Sequence, residues 1–263
     1  MSISDPVKSL SPFRISGKKL VREEDEYGDV IVIESRTHLI LTFDMIYEQS
    51  KMLKVSPSMP VHHYIRAMLM SLSFTPVEKV LVLGLGGGCL VRAVSASNNK
   101  IVQDVVEIRE AVMRVAQKYF SLPDSSRTHY YVQDANDFMS RKNANRYDII
   151  FSDLYSEDAM NPLQSMRSFL VSCADCLNDS GWLVINYHIP PDVYSLFSYT
   201  LHSLFKTVLY CTVPSGNTII YASKTDVQIP LSNYQEWGNS VGKMFSCDIS
   251  TLSRRLSFWP KPF

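Results

Sequence analysis

The first twenty-odd residues are polar and are punctuated by Pro6, Pro12 and Gly17, a pattern that predicts an irregular lead-in. Residues 29–34 and 37–43 then gather Val, Ile, Leu and Thr into two short runs separated only by Ser35 and Arg36, which predicts a β-hairpin in a small β-rich region. Between 62 and 74 the apolar residues Ile65, Met68, Leu69 and Leu72 recur at helical spacing, and Pro76 closes that segment. From Lys79 onward the rhythm changes again. Short apolar runs predict strands over 80–83, 101–107, 129–132, 147–152 and 182–186, and amphipathic stretches between them predict helices, the clearest over 110–120 and 162–177. A helix over 194–204 is followed by strands over 207–212 and 218–222, joined by Val213-Pro-Ser-Gly-Asn217, a turn sequence that predicts an antiparallel pair.

Alternating strands and helices of this kind form βαβ units in a parallel sheet. Five parallel strands closed by a hairpin predict an α/β fold, a doubly wound sheet of the S-adenosylmethionine-dependent methyltransferase type, with a small N-terminal β-rich domain before it. The division is expected between residues 1–75 and 76–263.

Composition narrows the function classes. With 46% hydrophobic and 20% charged residues in 263, the chain is globular in type. Twenty-six Lys and Arg balance twenty-six Asp and Glu, so the summed field that would draw nucleic acid or an anionic membrane is missing. No segment approaches the roughly 18 apolar residues of a membrane span, and the N-terminus lacks a basic stretch followed by an apolar run, so a cytoplasmic protein is expected. The five cysteines are odd in number and scattered, which argues against a secreted disulfide framework. Cys173 and Cys176 form a CxxC inside a predicted helix, with no second pair, and read as structural thiols rather than metal ligands.

Ligands of open α/β sheets bind outside the carboxyl ends of the strands, so strand ends are where chemistry is sought. The first predicted strand runs into Gly84-Leu-Gly-Gly-Gly-Cys89, where glycines allow a tight turn and close approach of backbone to ligand. The second ends in Glu107, 23 residues after Gly84, placed either to accept from a ribose diol or as an acid at a helix start. After the third come Gln133, Asp134 and Ala135; Asp134 suits an adenine amino group, a helix N-cap, or both. The fourth ends in Asp153, either a general base or cation holder at the cleft or an ordinary turn carboxylate. His62 and His63 lack a third partner at metal spacing, so no metal is expected; one of them, taken as His63, is a candidate for the cleft wall, with Tyr64 and Tyr155.

From Glu26 to Lys224 the chain resembles the spermidine synthases, or polyamine aminopropyltransferases. The resemblance runs through Lys79-Val-Leu-Val-Leu-Gly-Leu-Gly-Gly-Gly88 with Arg92, Val106-Glu-Ile108, Gln133-Asp-Ala135, Tyr147-Asp-Ile-Ile-Phe-Ser-Asp153 and Pro214-Ser-Gly216. It implies an N-terminal β-domain joined to a methyltransferase-like sheet, a homodimer, and transfer of an aminopropyl group from decarboxylated S-adenosylmethionine to an amine, releasing methylthioadenosine. It assigns the nucleoside to Gln49, Gly84, Gly86, Gly88, Glu107, Asp134 and Ala135, and amine deprotonation to Asp153. Several positions depart from the family pattern. Gly87 stands where the glycine loop carries an aspartate, and His62-His63-Tyr64-Ile65 stands for Tyr-His-Glu-Met. Ser156 replaces the second Asp of DxxD, and Val213 the Tyr of Tyr-Pro-Ser-Gly. Nucleoside positions are kept while amine positions are not, with Glu157 and Asp158 as candidate replacements. A polyamine-synthase-like transferase with an altered acceptor is therefore expected first. A methyltransferase using S-adenosylmethionine itself, or a non-catalytic homologue binding nucleoside or a partner, are the alternatives.

Overall fold

The computed structural model describes residues 15–140, 146–156, 159–226 and 229–262. Strands β1 (Lys18–Asp25), β2 (Gly28–Glu34), β3 (His38–Thr42) and β4 (Ser50–Leu53) form an antiparallel sheet in that order. Over Lys18–Asp25 the lead-in expectation is corrected, residues 1–14 lying outside the described ones: β1 pairs with β2 from Lys18 opposite Glu34 to Asp25 opposite Gly28, with a shift of register between Lys19 and Val21. Its alternation is masked because the solvent side of an edge strand carries Lys, Arg and Glu.

The second sheet has β5 (Lys79–Leu83), β6 (Val102–Glu107), β7 (Thr128–Val132), β8 (Tyr147–Ser152), β9 (Leu177–Tyr187), β10 (Thr207–Thr212), β11 (Thr218–Ser223) and β12 (Ser257–Phe258). Their spatial order is β12-β10-β11-β9-β8-β5-β6-β7. Neighbours from β7 to β9 are parallel, and β11 runs antiparallel to both β9 and β10, as the Pro-Ser-Gly turn predicts. Val80, Leu81, Val82 and Leu83 are all fully buried, the mark of a central parallel strand covered on both faces.

Helices α1 (His63–Leu69), α2 (Cys89–Ser97), α7 (Leu231–Met244) and α8 (Ser250–Ser253) cover one face, over Val80, Val82, Phe151 and Trp182. Helices α4 (Ala135–Ser140), α5 (Arg167–Cys176) and α6 (Leu196–Leu204) cover the other, over Leu81, Leu83, Ile150 and Leu183. Helix α3 (Glu110–Tyr119) is shared. Met113 and Ala116 pack into the core of the large sheet, while Ala111, Val112 and Val115 pack on Val30, Val32 and Leu41 of the small one. The helix expected over 162–177 is divided: residues Pro162–Ser165 make a 3₁₀ turn, Met166 is extended, and α5 starts afterward. The break frees Gln164 to turn inward, where it is fully buried and bonds to Ser152, Leu154 and Asn186. Cys173 and Cys176 both lie on α5 as free thiols. No helix among the described residues is long and apolar enough to cross a membrane.

Four adjacent strands of the large sheet are tied at one point. Asp104 of β6, 2% exposed, accepts from Lys79 of β5, His129 of β7 and the Tyr147 hydroxyl of β8 at 2.8–2.9 Å. Burial alone would raise the Asp104 carboxyl, but bonds from His129, Lys79 and Tyr147 outweigh it and hold the group below its ordinary value. A carboxyl lowered on folding stabilises fully above its unfolded value, near pH 4, and loses that contribution as pH falls through the folded value. Asp104→Asn is therefore expected to lower the unfolding free energy at pH 7 by about 1 to 2 kcal/mol, given that Lys79 and His129 remain accessible to water. In urea titrations the gap to wild type should narrow toward pH 3; an equal gap at both pH values would contradict this account.

Candidate active site

A cavity of about 650 Å³ lies where the carboxyl ends of β5 to β9 face the N-terminal sheet. At its centre Gly84 has φ 90°, and a Cβ there would stand 2.2 Å from the Asp153 carbonyl oxygen, so only glycine lets the loop after β5 touch the end of β8. The Gly84 N–H donates to the Val106 carbonyl, and the Asp153 N–H to the Leu83 carbonyl, each at 2.9 Å. Three strand ends are thereby held together.

Glu107 closes β6 and is buried. Its Oε2 accepts from the Leu85 N–H at 3.0 Å and its Oε1 from the Arg109 N–H at 2.9 Å, and the Gly86 amide also bonds to it. Burial pushes the carboxyl above its ordinary value, and these amides act against that rise. Two carboxylate oxygens offer about four acceptor positions, and with three of them taken by these amides about one is left for a ligand hydroxyl. Ile108, next in the chain, lines the cavity and is 43% exposed, an apolar surface beside that carboxylate.

Asp134 lies at the end of β7. Its Oδ1 accepts from the Asp137 N–H at 3.0 Å, capping α4, and the residue also lines the cavity, so both roles foreseen for it are compatible. Ala135 lies beside it in the wall.

Asp153, beyond β8, lines the same cavity. Asn186 Nδ2 donates to its Oδ1 at 2.8 Å, yet burial dominates and raises the carboxyl to about 6. Tyr64 and Tyr155 stand near enough for the Asp153 charge to raise both phenols further above their ordinary range, after burial as the main cause. Asn217 Nδ2 in turn donates to Asn186 Oδ1 at 3.1 Å.

Gln49, Gly84, Gly86, Glu107, Asp134, Ala135, Asp153, Tyr64 and Tyr155 thus share one cavity. Two candidates stand elsewhere. Gly88 precedes α2, and a Cβ there would meet Leu122 rather than the cavity. His63 begins α1 and is exposed, whereas extended His62 lines the cavity and stacks on Tyr64 with 5.6 Å between ring centroids. Sequence reasoning missed Arg109, Asn186 and Asn217. The Arg109 guanidinium bonds to Asp25 at 2.7 and 3.1 Å, donates to the Gly28 carbonyl and lies 4.5 Å from the Phe43 ring centre. A cation two residues after Glu107 was its only trace in the sequence. Among the described residues no group of three or more His, Cys, Asp or Glu is placed to hold a metal ion.

A family model for the spermine/spermidine synthase domain matches residues 59–225. The chain belongs to the spermine/spermidine synthase family. It is 28% identical to the polyamine aminopropyltransferase of Vibrio vulnificus over 233 residues, covering 83% of this chain and 76% of that one. With the spermine synthase of Arabidopsis thaliana it shares 27% identity over 218 residues, 76% of this chain and 58% of the relative. Among solved structures, a probable spermidine synthase from Corynebacterium glutamicum matches with a TM-score of 0.74 at 16% identity, over 94% of this chain and 91% of that one. Human methyltransferase-like protein 13, solved with SAH, matches with a TM-score of 0.63 at 21% identity, over 71% and 93%. These last two establish the shared fold.

Within this family the departures have physical form. Gly87 does not face the cavity: a Cβ there would stand 2.6 Å from Ser50 Oγ, 2.9 Å from Ser50 Cβ and 3.1 Å from Phe120, so β4 and the end of α3 fill that space. Ser156 directs its hydroxyl to the Ala159 carbonyl at 3.1 Å, and Val213 is buried in the core. Glu157 and Asp158 lie outside the described residues. Simply placing an aspartate at position 87 should therefore fail. Gly87→Asp is expected to destabilise the protein by about 1 to 3 kcal/mol through overpacking, and Ser50→Gly in the same chain to recover part of that loss. Thermal unfolding checks it; an unchanged midpoint for Gly87→Asp would show that the loop has room.

Proposed function

We propose that this chain is a transferase that holds a sulfonium nucleoside by its adenosine part and passes an alkyl group to a nucleophile deprotonated by Asp153. The reading is carried by one observation: Glu107 and Asp153 end the two strands flanking β5 and face one cavity across the Gly84 loop. A ligand lying over that loop reaches both. Glu107 then accepts from a ribose hydroxyl, Asp134 from the adenine amino group, and Gln49 and the loop backbone complete the nucleoside side.

The chemistry follows from the ligand's charge. The acceptor nitrogen attacks the carbon beside the sulfonium, its C–N bond forms as the C–S bond breaks, and the sulfur leaves with the electron pair as a neutral thioether. The acceptor must arrive unprotonated or lose its proton, and Asp153, with its carboxyl near 6, is ionised at neutral pH yet basic enough to help. With decarboxylated S-adenosylmethionine, the donor implied by the family, the nucleoside product is methylthioadenosine. S-adenosylmethionine is the second reading, supported by the fold shared with a methyltransferase solved with SAH.

Diamines are expected to be poor acceptors. Around Asp153 the described wall offers Tyr64, Tyr155, Asn186, Asn217 and His188, and Glu48 is already paired with Lys51 at 3.0 Å. One ionised group does not compensate for desolvating two ammonium groups.

Calorimetry with methylthioadenosine should show Glu107→Ala binding more weakly by about 1.5 to 3 kcal/mol, the range for hydrogen bonds to a charged group. Unchanged affinity in a folded variant would remove Glu107 from the site. Calorimetry with each sulfonium donor separates the two donor readings, and in steady-state assays with putrescine a turnover of about 1 to 10 per second would overturn the weak-diamine expectation. Where transfer is measurable, kcat/KM should rise as pH passes about 6, where Asp153 ionises, and Asp153→Asn should abolish that inflection.

A further inference from the structure

We propose that Asn186 and Asn217 are positioning residues that hold Asp153 in one orientation through a one-way chain of amide hydrogen bonds. The inference rests on the reading of Asp153 as the base. Asn186 is the next-to-last residue of β9 and is 2% exposed; Asn217 lies on the turn between β10 and β11, next to Thr218, which pairs with Tyr187. The antiparallel hairpin thus brings a turn residue to the base, although the two are 64 positions apart in sequence.

The direction of the chain is dictated by chemistry. An ionised carboxylate only accepts, so Asn186 must turn its amino group to Asp153 Oδ1, at 2.8 Å. Its oxygen then faces Asn217, which must present its own amino group, at 3.1 Å. Each amide removes the freedom of the next to rotate by half a turn. The backbone of Asn186 is held as well, its carbonyl accepting from the Tyr155 hydroxyl at 3.2 Å and from Gln164 Nε2 at 3.3 Å. With Oδ1 engaged, Oδ2 is the oxygen left to receive the acceptor's proton.

The same contacts act on the base's strength. Tyr64 from α1 and Tyr155 from its own loop are the titratable groups coupled to Asp153, and burial keeps both as neutral phenols near neutral pH. Among the described residues no cation pairs with Asp153, so the Asn186 amide is the contact that favours its charged form. When Asp153 takes up a proton, that preference for one amide orientation disappears, and the chain relaxes with the protonation state.

The test is a carbon-13 NMR titration of the Asp153 carboxyl in the full chain, with the resonance assigned by Asp153→Asn. Asn186→Leu, close in shape but without hydrogen bonds, should move the midpoint up by about one to two pH units. Asn217→Ala should move it in the same direction by less, and the double variant should match Asn186→Leu alone, because the two amides act in series. An unmoved midpoint in Asn186→Leu, or no shift in Asn217→Ala, or shifts that add, would overturn the proposal. If Asn186→Leu does not fold, Asn217→Ala on its partly exposed turn decides the matter by the presence or absence of its shift. The titration uses no ligand, so a wild-type chain that failed to bind methylthioadenosine would sink the functional reading and leave this one still measurable.

Discussion

A buried carboxylate needs donors, and at Glu107 those donors are backbone amides from two different segments. The Leu85 and Gly86 amides belong to the loop after β5, and the Arg109 amide precedes α3. Satisfying this one charge therefore curls the glycine loop and starts the helix at the same time. Arg109 continues the arrangement outward. Its side chain carries a buried cation to Asp25 and to the Gly28 carbonyl, which draws the end of β1 and the start of β2 over the cavity. An unpaired ion at this depth would cost several kcal/mol, so the small sheet and the large one are coupled through a few residues after β6.

The cavity that results is unequal at its two ends. Around Glu107 and Asp134 the acids are anchored by backbone amides. Around Asp153 the frame is made of amide side chains and phenols, supported from β9 and the β10–β11 turn. The space a side chain at Gly87 would need is taken by Ser50 of β4 and by Phe120, just beyond α3. The two ends of the cavity rest on different structural elements.

How much of this was legible in the sequence depended on distance along the chain. The parallel strands were, since buried runs such as Val80-Leu-Val-Leu83 carry their own signal, and so were the acids that end them. Strands β1 and β4 were not. β1 is a charged edge strand, and β4 has four residues, too few for a period to show. The segment after Ser223 was also unread, although Tyr234, Leu252 and Trp259 complete both cores and β12 extends the sheet. Placing His63 in the wall failed by one residue, because helix α1 starts there and turns that side chain to solvent while His62 stays extended. Asn186 and Asn217 gave no local sign, being ordinary polar residues until the hairpin brings them together.

The central claim is that the strand-end acids hold a sulfonium nucleoside across the glycine loop. A crystal structure of this protein with methylthioadenosine tests it most directly. The account predicts a ribose hydroxyl within hydrogen-bond distance of Glu107, the adenine edge at Asp134, and the thioether sulfur directed toward the Asp153 end of the cavity. A nucleoside bound elsewhere, or lying in the cavity without contact to Glu107, would contradict it.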